Sequence, residues 1–261
     1  MTATMLRAVP VERVWGRHDI PAGFPRLGDD VPVGEIWFEP PADAALLIKY
    51  LFTAERLSIQ VHPGDEAAKA RGLPRGKDEA WYILDAEPGA RIGIGLTHEV
   101  SREALRAAAL DGSIEGLLDW RPVATGDIFY SPAGTIHAIG GGIALIEIQQ
   151  NLDLTYRLYD YDRPRELHLD EGIAVATPGP WSPPPVTAAA GPGREVLAAG
   201  SAFSVERWTI PGLIKGPAIV IPLAPDGTIG GETLAAGSAW DVDGTAEIGG
   251  GDVDLLVAFP A

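Results

Sequence analysis

The chain has 261 residues, 46% of them hydrophobic, a net charge of −16 and no cysteine. That length and apolar content support a globular protein with a sizeable core, and the cysteine count excludes disulfides, thiolate metal sites and cysteine nucleophiles. The acidity argues against nucleic acid and anionic membrane as partners, because both are bound through basic surfaces; an anionic substrate would need its own local cluster of Arg and Lys.

No apolar run approaches the roughly 18 residues that a membrane span requires, and the opening MTATMLRAVPVERVWGR has no apolar h-region, so a cytoplasmic protein is expected. Gly and Pro are abundant, 32 and 23 residues, and short apolar or alternating runs lie between them. In chain order these are LLIKYLF, RLSIQV, AWYIL, RIGIGL, DIFYS and IALIEIQ. Many short strands with such punctuation predict a mainly β chain built as a barrel or sandwich. A helical turn is expected near GDEAAKARG. The main helical segment is SREALRAAALDGSIEGLLDW, with Ser101 as N-cap, Glu103 in the first turn, a break at Gly112 and a second short turn to about Leu118. Residues 177–194 are Pro- and Gly-rich and predict a linker. The segments after it, SAFSVERWTI, AIVIPLA and GTAEIGGGDVDLLVAF, are again β-like and contain no histidine.

The residues that carry chemistry are few. In LSIQVHPGD, Leu57, Ile59 and Val61 alternate with Ser58, Gln60 and His62, so an amide and an imidazole share one strand face just before a proline ends the strand. In GKDEAWYIL, Glu79 shares a face with Trp81 and Ile83, and an inward carboxylate needs a cation or a hydrogen-bonding network. In GDIFYSPAGTIHAIGG, Gly126, Pro132, Gly134 and His137 have the spacing G-x5-P-x-G-x2-H, which is similar to the second cupin motif; a turn, a strand and a tight turn deliver His137 to the interior. Gln60, His62, Glu79 and His137 make a mixed N/O set suited to one divalent ion, Zn²⁺ first, with Co²⁺, Mn²⁺ and Fe²⁺ also admitted. Glu147 stands charged on the face of Ile143 and Leu145. Arg91, Gly93 and Gly95 share a face, where the glycines either leave room for a ligand or mark a bend. His18, His98 and His168 fit no such pattern and are read as turn residues.

Together LSIQVHPGD, GKDEAWYIL, VGEIWFEP and GDIFYSPAGTIHAIGGGIALIEIQQNLDLTYRLYDYDRP resemble the signature blocks of type I mannose-6-phosphate isomerases (phosphomannose isomerases), cupin-superfamily metalloenzymes. The resemblance spans roughly residues 10 to 175. It implies a cupin (jelly-roll) barrel in residues 1–180 with the family's helical insertion reduced to about 97–120, and a second, degenerate cupin-like β unit without metal in 181–261. It implies that Gln60, His62, Glu79 and His137 hold zinc, that Arg157 is the active-site arginine, and that Lys77 and Glu147 line the same pocket. The implied partner is a small sugar phosphate, and the implied reaction is interconversion of mannose 6-phosphate and fructose 6-phosphate through an enediolate. Two alternatives are a cupin of other metal chemistry, such as an iron dioxygenase, and a non-catalytic sugar-binding cupin. Gln60 and the Lys77–Arg157 pair count against the first, and the full ligand set against the second.

Overall fold

The computed structural model describes residues 3–28, 30–186 and 190–261; residues 187–189 of the predicted linker lie outside the described residues. It is mainly β with a few short helices, as the sequence predicts. A six-stranded sheet has the order Arg7–Arg17, Val33–Glu39, Leu46–Thr53, Ile143–Gln150, Glu79–Ala86, Ile128–Ser131. A five-stranded sheet has the order Tyr156–Tyr159, Ile59–Val61, His137–Ile139, Arg91–Leu96, Leu118–Pro122. Their facing sides share one core, in which Trp81, Ile83, Leu145 and Leu51 meet Ile92, Ile94 and Ile139.

Period two explains which face each side chain takes. Along Glu79–Ala86, Trp81 and Ile83 enter that core, while Ala80 and Tyr82 enter a second core behind the sheet. This second core joins the back of the six-stranded sheet to a third sheet that carries Phe203, Val205, Ile219, Ile221 and Leu256. The Leu46–Thr53 strand is therefore buried on both sides along its whole length, and so reads in the sequence as a continuous run, not an alternation.

The third sheet is six-stranded, and its order places Ala3–Met5 at one edge, beside Trp240–Val242. Residues from the start of the chain thus supply a strand to the sheet formed by the 181–261 segment. A four-stranded sheet of Gly212–Lys215, Thr245–Gly249, Thr228–Ile229 and Glu232–Thr233 packs behind it over Trp208, Trp240 and Leu255.

Helices cover the outer face of the five-stranded sheet. In Arg102–Asp111, Leu105, Ala108 and Ala109 repeat at helical spacing and are buried with Ile59, Val61 and Leu158. Ser101 Oγ accepts from Ala104 N at 3.1 Å, and Gly112 ends the helix at φ 80°. The short helix Ile114–Leu117 follows, but Leu118–Pro122 is a strand, so the last residues of the predicted helical insertion are β. They pair with Arg91–Leu96, which satisfies backbone groups that a longer helix would leave at the sheet edge. We expect Ser101→Ala to lose the cap and about 1 kcal/mol of stability, read as a melting point lower by roughly 2–4 °C.

Candidate metal centre

The two facing sheets bring the four expected ligands to one point. Ile59–Val61 carries Gln60 and leads into His62, His137–Ile139 pairs with it, and His137 lies directly opposite Gln60 in the ladder. Glu79 comes from the first position of the Glu79–Ala86 strand in the other sheet. His62, Glu79 and His137 are buried, and their ligand atoms lie within 4.8 Å of one another. His62 Nε2 stands 3.3 Å from Glu79 Oε1, and His137 Nε2 stands 3.4 Å from Glu79 Oε2. The Gln60 amide is 3.3 Å from His137 Nε2. Two donors bound at about 2.1 Å in a tetrahedral site are roughly 3.4 Å apart, so these spacings suit a metal.

The hydrogen bonding agrees. His62 Nε2 and both Glu79 oxygens are buried with no hydrogen-bond partner, which is costly unless something else engages them. His62 Nδ1 donates to Leu154 O at 2.8 Å, and His137 Nδ1 donates to Thr135 O at 3.0 Å. Each backbone carbonyl thereby fixes the tautomer that leaves a lone pair on Nε2, aimed at the centre. Burial pushes the His62 imidazole down to about 4, against the opposing pull of Glu79. Burial, opposed by Glu79, also lowers His137. Both rings are therefore neutral at neutral pH. Burial disfavours the Glu79 charge, but the imidazoles and the Lys77 ammonium outweigh it and hold the carboxyl well below the usual carboxylate range. The Gln60 oxygen accepts from Ser58 Oγ at 3.2 Å. A half-turn of the amide would present that oxygen to a metal, and the Ser58 hydroxyl, both donor and acceptor, can hold either orientation.

A cavity of about 430 Å³ adjoins the cluster, lined by Gln60, Lys77, Glu147 and Arg157 among others. Lys77 Nζ stands 2.9 Å from Glu79 Oε1 but is out of line for a hydrogen bond. Glu147 is buried; Trp81 Nε1 donates to its Oε2 at 3.2 Å. Burial, with Glu79 next, pushes its carboxyl above the ordinary range. Arg157 lies opposite Gln60 on the neighbouring strand, and its Nη1 donates to Glu166 O at 2.7 Å.

Sequence reasoning missed Lys49. Its Nζ is 3.2 Å from Glu147 Oε1 and 4.4 Å from the centre of the Trp37 ring. Burial opposes its charge, but Glu147, Glu35 and Glu79 outweigh it and raise the ammonium's pKa. The available signal was the lone charge in the apolar run LLIKYLF, the same kind of signal that singled out Glu147. Glu35 continues the chain of charges, accepting from Trp37 Nε1 at 2.6 Å and from Arg13 Nη2 at 2.8 Å. The glycines of RIGIGL make no ligand space. A Cβ on Gly93 would meet Leu118 at 3.2 Å, and one on Gly95 would meet the Trp181 backbone at 2.4 Å. His18 and His98 are exposed, and His168 Nδ1 accepts from the backbone N–H of Arg157 at 3.2 Å.

No family model matches the chain. Against curated proteins it is 41% identical over 179 residues to a mannose-6-phosphate isomerase of Streptococcus mutans, covering 65% of this chain and 56% of that protein. It is 46% identical over 137 residues to the mannose-6-phosphate isomerase ManA of Bacillus subtilis, covering 50% of this chain and 43% of that protein. The chain spans about half the length of the curated relatives it matches. Among solved structures, that of the mannose 6-phosphate isomerase from Bacillus subtilis superposes with a TM-score of 0.85 at 27% identity, over 99% of both chains. A zinc-bound mannose 6-phosphate isomerase shares the fold, with a TM-score of 0.73 at 14% identity over 100% of both chains. The resemblance read from the sequence blocks and the expected fold both hold in these comparisons.

Proposed function

We propose that this chain, whose curated relatives are mannose-6-phosphate isomerases, interconverts mannose 6-phosphate and fructose 6-phosphate with one zinc ion held by Gln60, His62, Glu79 and His137. One observation carries the reading. Buried donor atoms of His62 and Glu79 that make no hydrogen bond converge with His137 at metal-like spacings, beside a cavity lined by five cations. The donor set is mixed nitrogen and oxygen, which suits zinc. When bound, the ion supplies Lewis-acid polarisation of the sugar oxygens.

The chain's own residues account for the proton movements. Glu147 takes the proton from C2; the C–H electrons form the C1–C2 double bond, and the carbonyl electrons move to O1. The same proton then returns to C1, while the O2 proton passes to O1 as the C2 carbonyl forms. A carboxyl raised by burial is a better base near neutrality than an exposed one. Lys77, beside Glu79, is the second proton-handling group and serves O1 and O2. Arg157 offers a planar fork of donors to the enediolate. Neither alternative, an iron dioxygenase or a non-catalytic cupin, gains an observation from the site.

The test is a coupled assay that follows fructose 6-phosphate from mannose 6-phosphate. Turnover is expected with zinc-loaded protein, lost on dialysis against chelator and regained with zinc. Zinc-loaded, folded protein without turnover would overturn the reading. Arg157→Ala should lower kcat by about a hundredfold or more with KM little altered, as removal of an interaction made in the transition state does. Steady-state kinetics separate this from a pure binding role, in which KM alone would rise.

A further inference from the structure

Five cations line the cavity beside the metal cluster: Arg13, Lys49, Lys77, Arg157 and Arg165, against the carboxylates Glu35, Glu147 and Asp153. This is a local positive excess in a chain of net charge −16. Two of the five are paired with carboxylates of the cavity wall, Arg13 with Glu35 and Lys49 with Glu147, and Lys77 is paired with Glu79 of the metal cluster. Among the described residues Arg157 has no carboxylate at ion-pair distance.

Arg165 is held differently. Its Nε and Nη2 donate to the two oxygens of Asp160 at 2.5 and 2.6 Å. The Asp160 side chain is 1% exposed and is absent from the cavity wall. The guanidinium is thus fixed by two bonds to a buried support, and among the described residues its Nη1 makes no hydrogen bond. Asp160 also pairs with Arg163 at 3.4 Å, so two arginines share this one carboxylate, while Arg157 earlier in the same segment has none among the described residues. Arg157 Nε and Arg163 Nη1 are buried with no partner. Burial, with the Arg165 charge next, pushes the Arg157 guanidinium down, as expected where like charges crowd. An added anion relieves such crowding. Tyr161 and Asp162, both at positive φ (53° and 59°), turn the chain between Asp160 and Arg165. Positive φ in residues other than glycine persists where the surroundings enforce it.

We propose that Arg165, braced by Asp160, grips the phosphate group of the substrate, which leaves Arg157 for the reacting carbons. The inference rests on the isomerase reading for the identity of the substrate. The phosphate is carried on C6, four carbons from C2, so one cation cannot serve both ends. Arg157 lies across the ladder from Gln60, at the metal end, while Arg165 follows after the turn. A guanidinium already held in place loses little freedom on binding, and its planar fork matches phosphate oxygens.

The test uses the full zinc-loaded chain with two probes: inorganic phosphate, followed by calorimetry, and mannose 6-phosphate, followed by steady-state kinetics. In Arg165→Ala the Kd for inorganic phosphate and the KM for mannose 6-phosphate should both rise by about tenfold or more, with kcat within about threefold and zinc content unchanged. Arg165→Lys, which keeps the charge but not the fork, should fall between the two. If Arg165→Ala fails to fold because the buried Asp160 loses its two bonds from Arg165 and keeps only the longer contact with Arg163, the Asp160→Asn/Arg165→Ala double variant removes both charges and should show the same rises. Unchanged phosphate affinity and KM in a folded variant would overturn the inference, as would a wild-type protein that does not bind inorganic phosphate. Should the wild type bind phosphate through Arg165 yet make no fructose 6-phosphate, the phosphate site stands and the isomerase reading falls.

Discussion

Replacing His62 or His137 by alanine is expected to abolish turnover and to drop bound zinc well below one per chain. The loss should exceed the roughly 10–100-fold that removing an outer-shell partner of a metal ligand costs, because a ligand atom itself is gone. Elemental analysis beside the coupled assay checks both parts, and full activity without metal would sink the metal reading. Zinc should also raise the melting point, since it binds the folded chain and engages His62 and Glu79 atoms that make no hydrogen bond. In metal-free protein the sign with pH follows from the same groups. His62 is pushed down to about 4 in the fold, from an ordinary value near 6.5. Between those values the unfolded chain binds the extra proton, so stability falls as pH is lowered through that window. Glu79, held below its ordinary value, acts in the same direction at lower pH. Thermal melts of the apo-protein at pH 7 and pH 5 should show the lower melting point at pH 5.

The second large effect is expected from Lys49→Met. The two side chains of the Lys49–Glu147 pair are 4% and 7% exposed. Removing one partner of a buried pair typically costs about 3–5 kcal/mol, which corresponds to a melting point lower by roughly 6–20 °C. Glu147 can escape part of that cost by taking a proton. Burial and Glu79 already push its carboxyl up, and loss of the Lys49 charge pushes it further the same way. The acid limb of the kcat/KM profile should therefore move to higher pH, because the base must be ionised to work. Lys49→Met/Glu147→Gln should be less destabilised than the single variant, since no charge is then left unpaired. A single variant with wild-type melting point and pH profile would show that the pair does neither job.

Lys49 also marks the limit of what the chain discloses before folding. Gln60 and His62 were legible because their strand is buried on one face by Ile59 and Val61, so the polar pair stood out as an alternation. Glu79 was legible through the same logic with Trp81 and Ile83, and His137 through the glycines and proline that turn the chain before it. Ser101 and Gly112 announced the helix they cap. The Leu46–Thr53 strand gives no alternation, because sheets cover both its faces, and a charge within it has no face to be assigned to. The chain of contacts from Arg13 through Glu35 and Trp37 to Lys49 crosses three neighbouring strands. Their lateral order depends on pairing between distant segments, which local pattern does not encode. For the glycines of RIGIGL, the choice between ligand space and bend depends on Leu118 beside Gly93 and Trp181 beside Gly95, both outside the segment itself.

The edge pairing of Ala3–Met5 with Trp240–Val242 has a kinetic consequence. A ladder between segments separated by nearly the whole sequence cannot form on the ribosome until Trp240 has emerged, whereas the strands that carry Gln60, Glu79 and His137 are all available much earlier. Loop closure over such a span is slow compared with local pairing. The strands of the metal cluster can therefore pair during synthesis, while the apolar back of the six-stranded sheet stays uncovered, and exposed to other nascent chains, until the third sheet arrives.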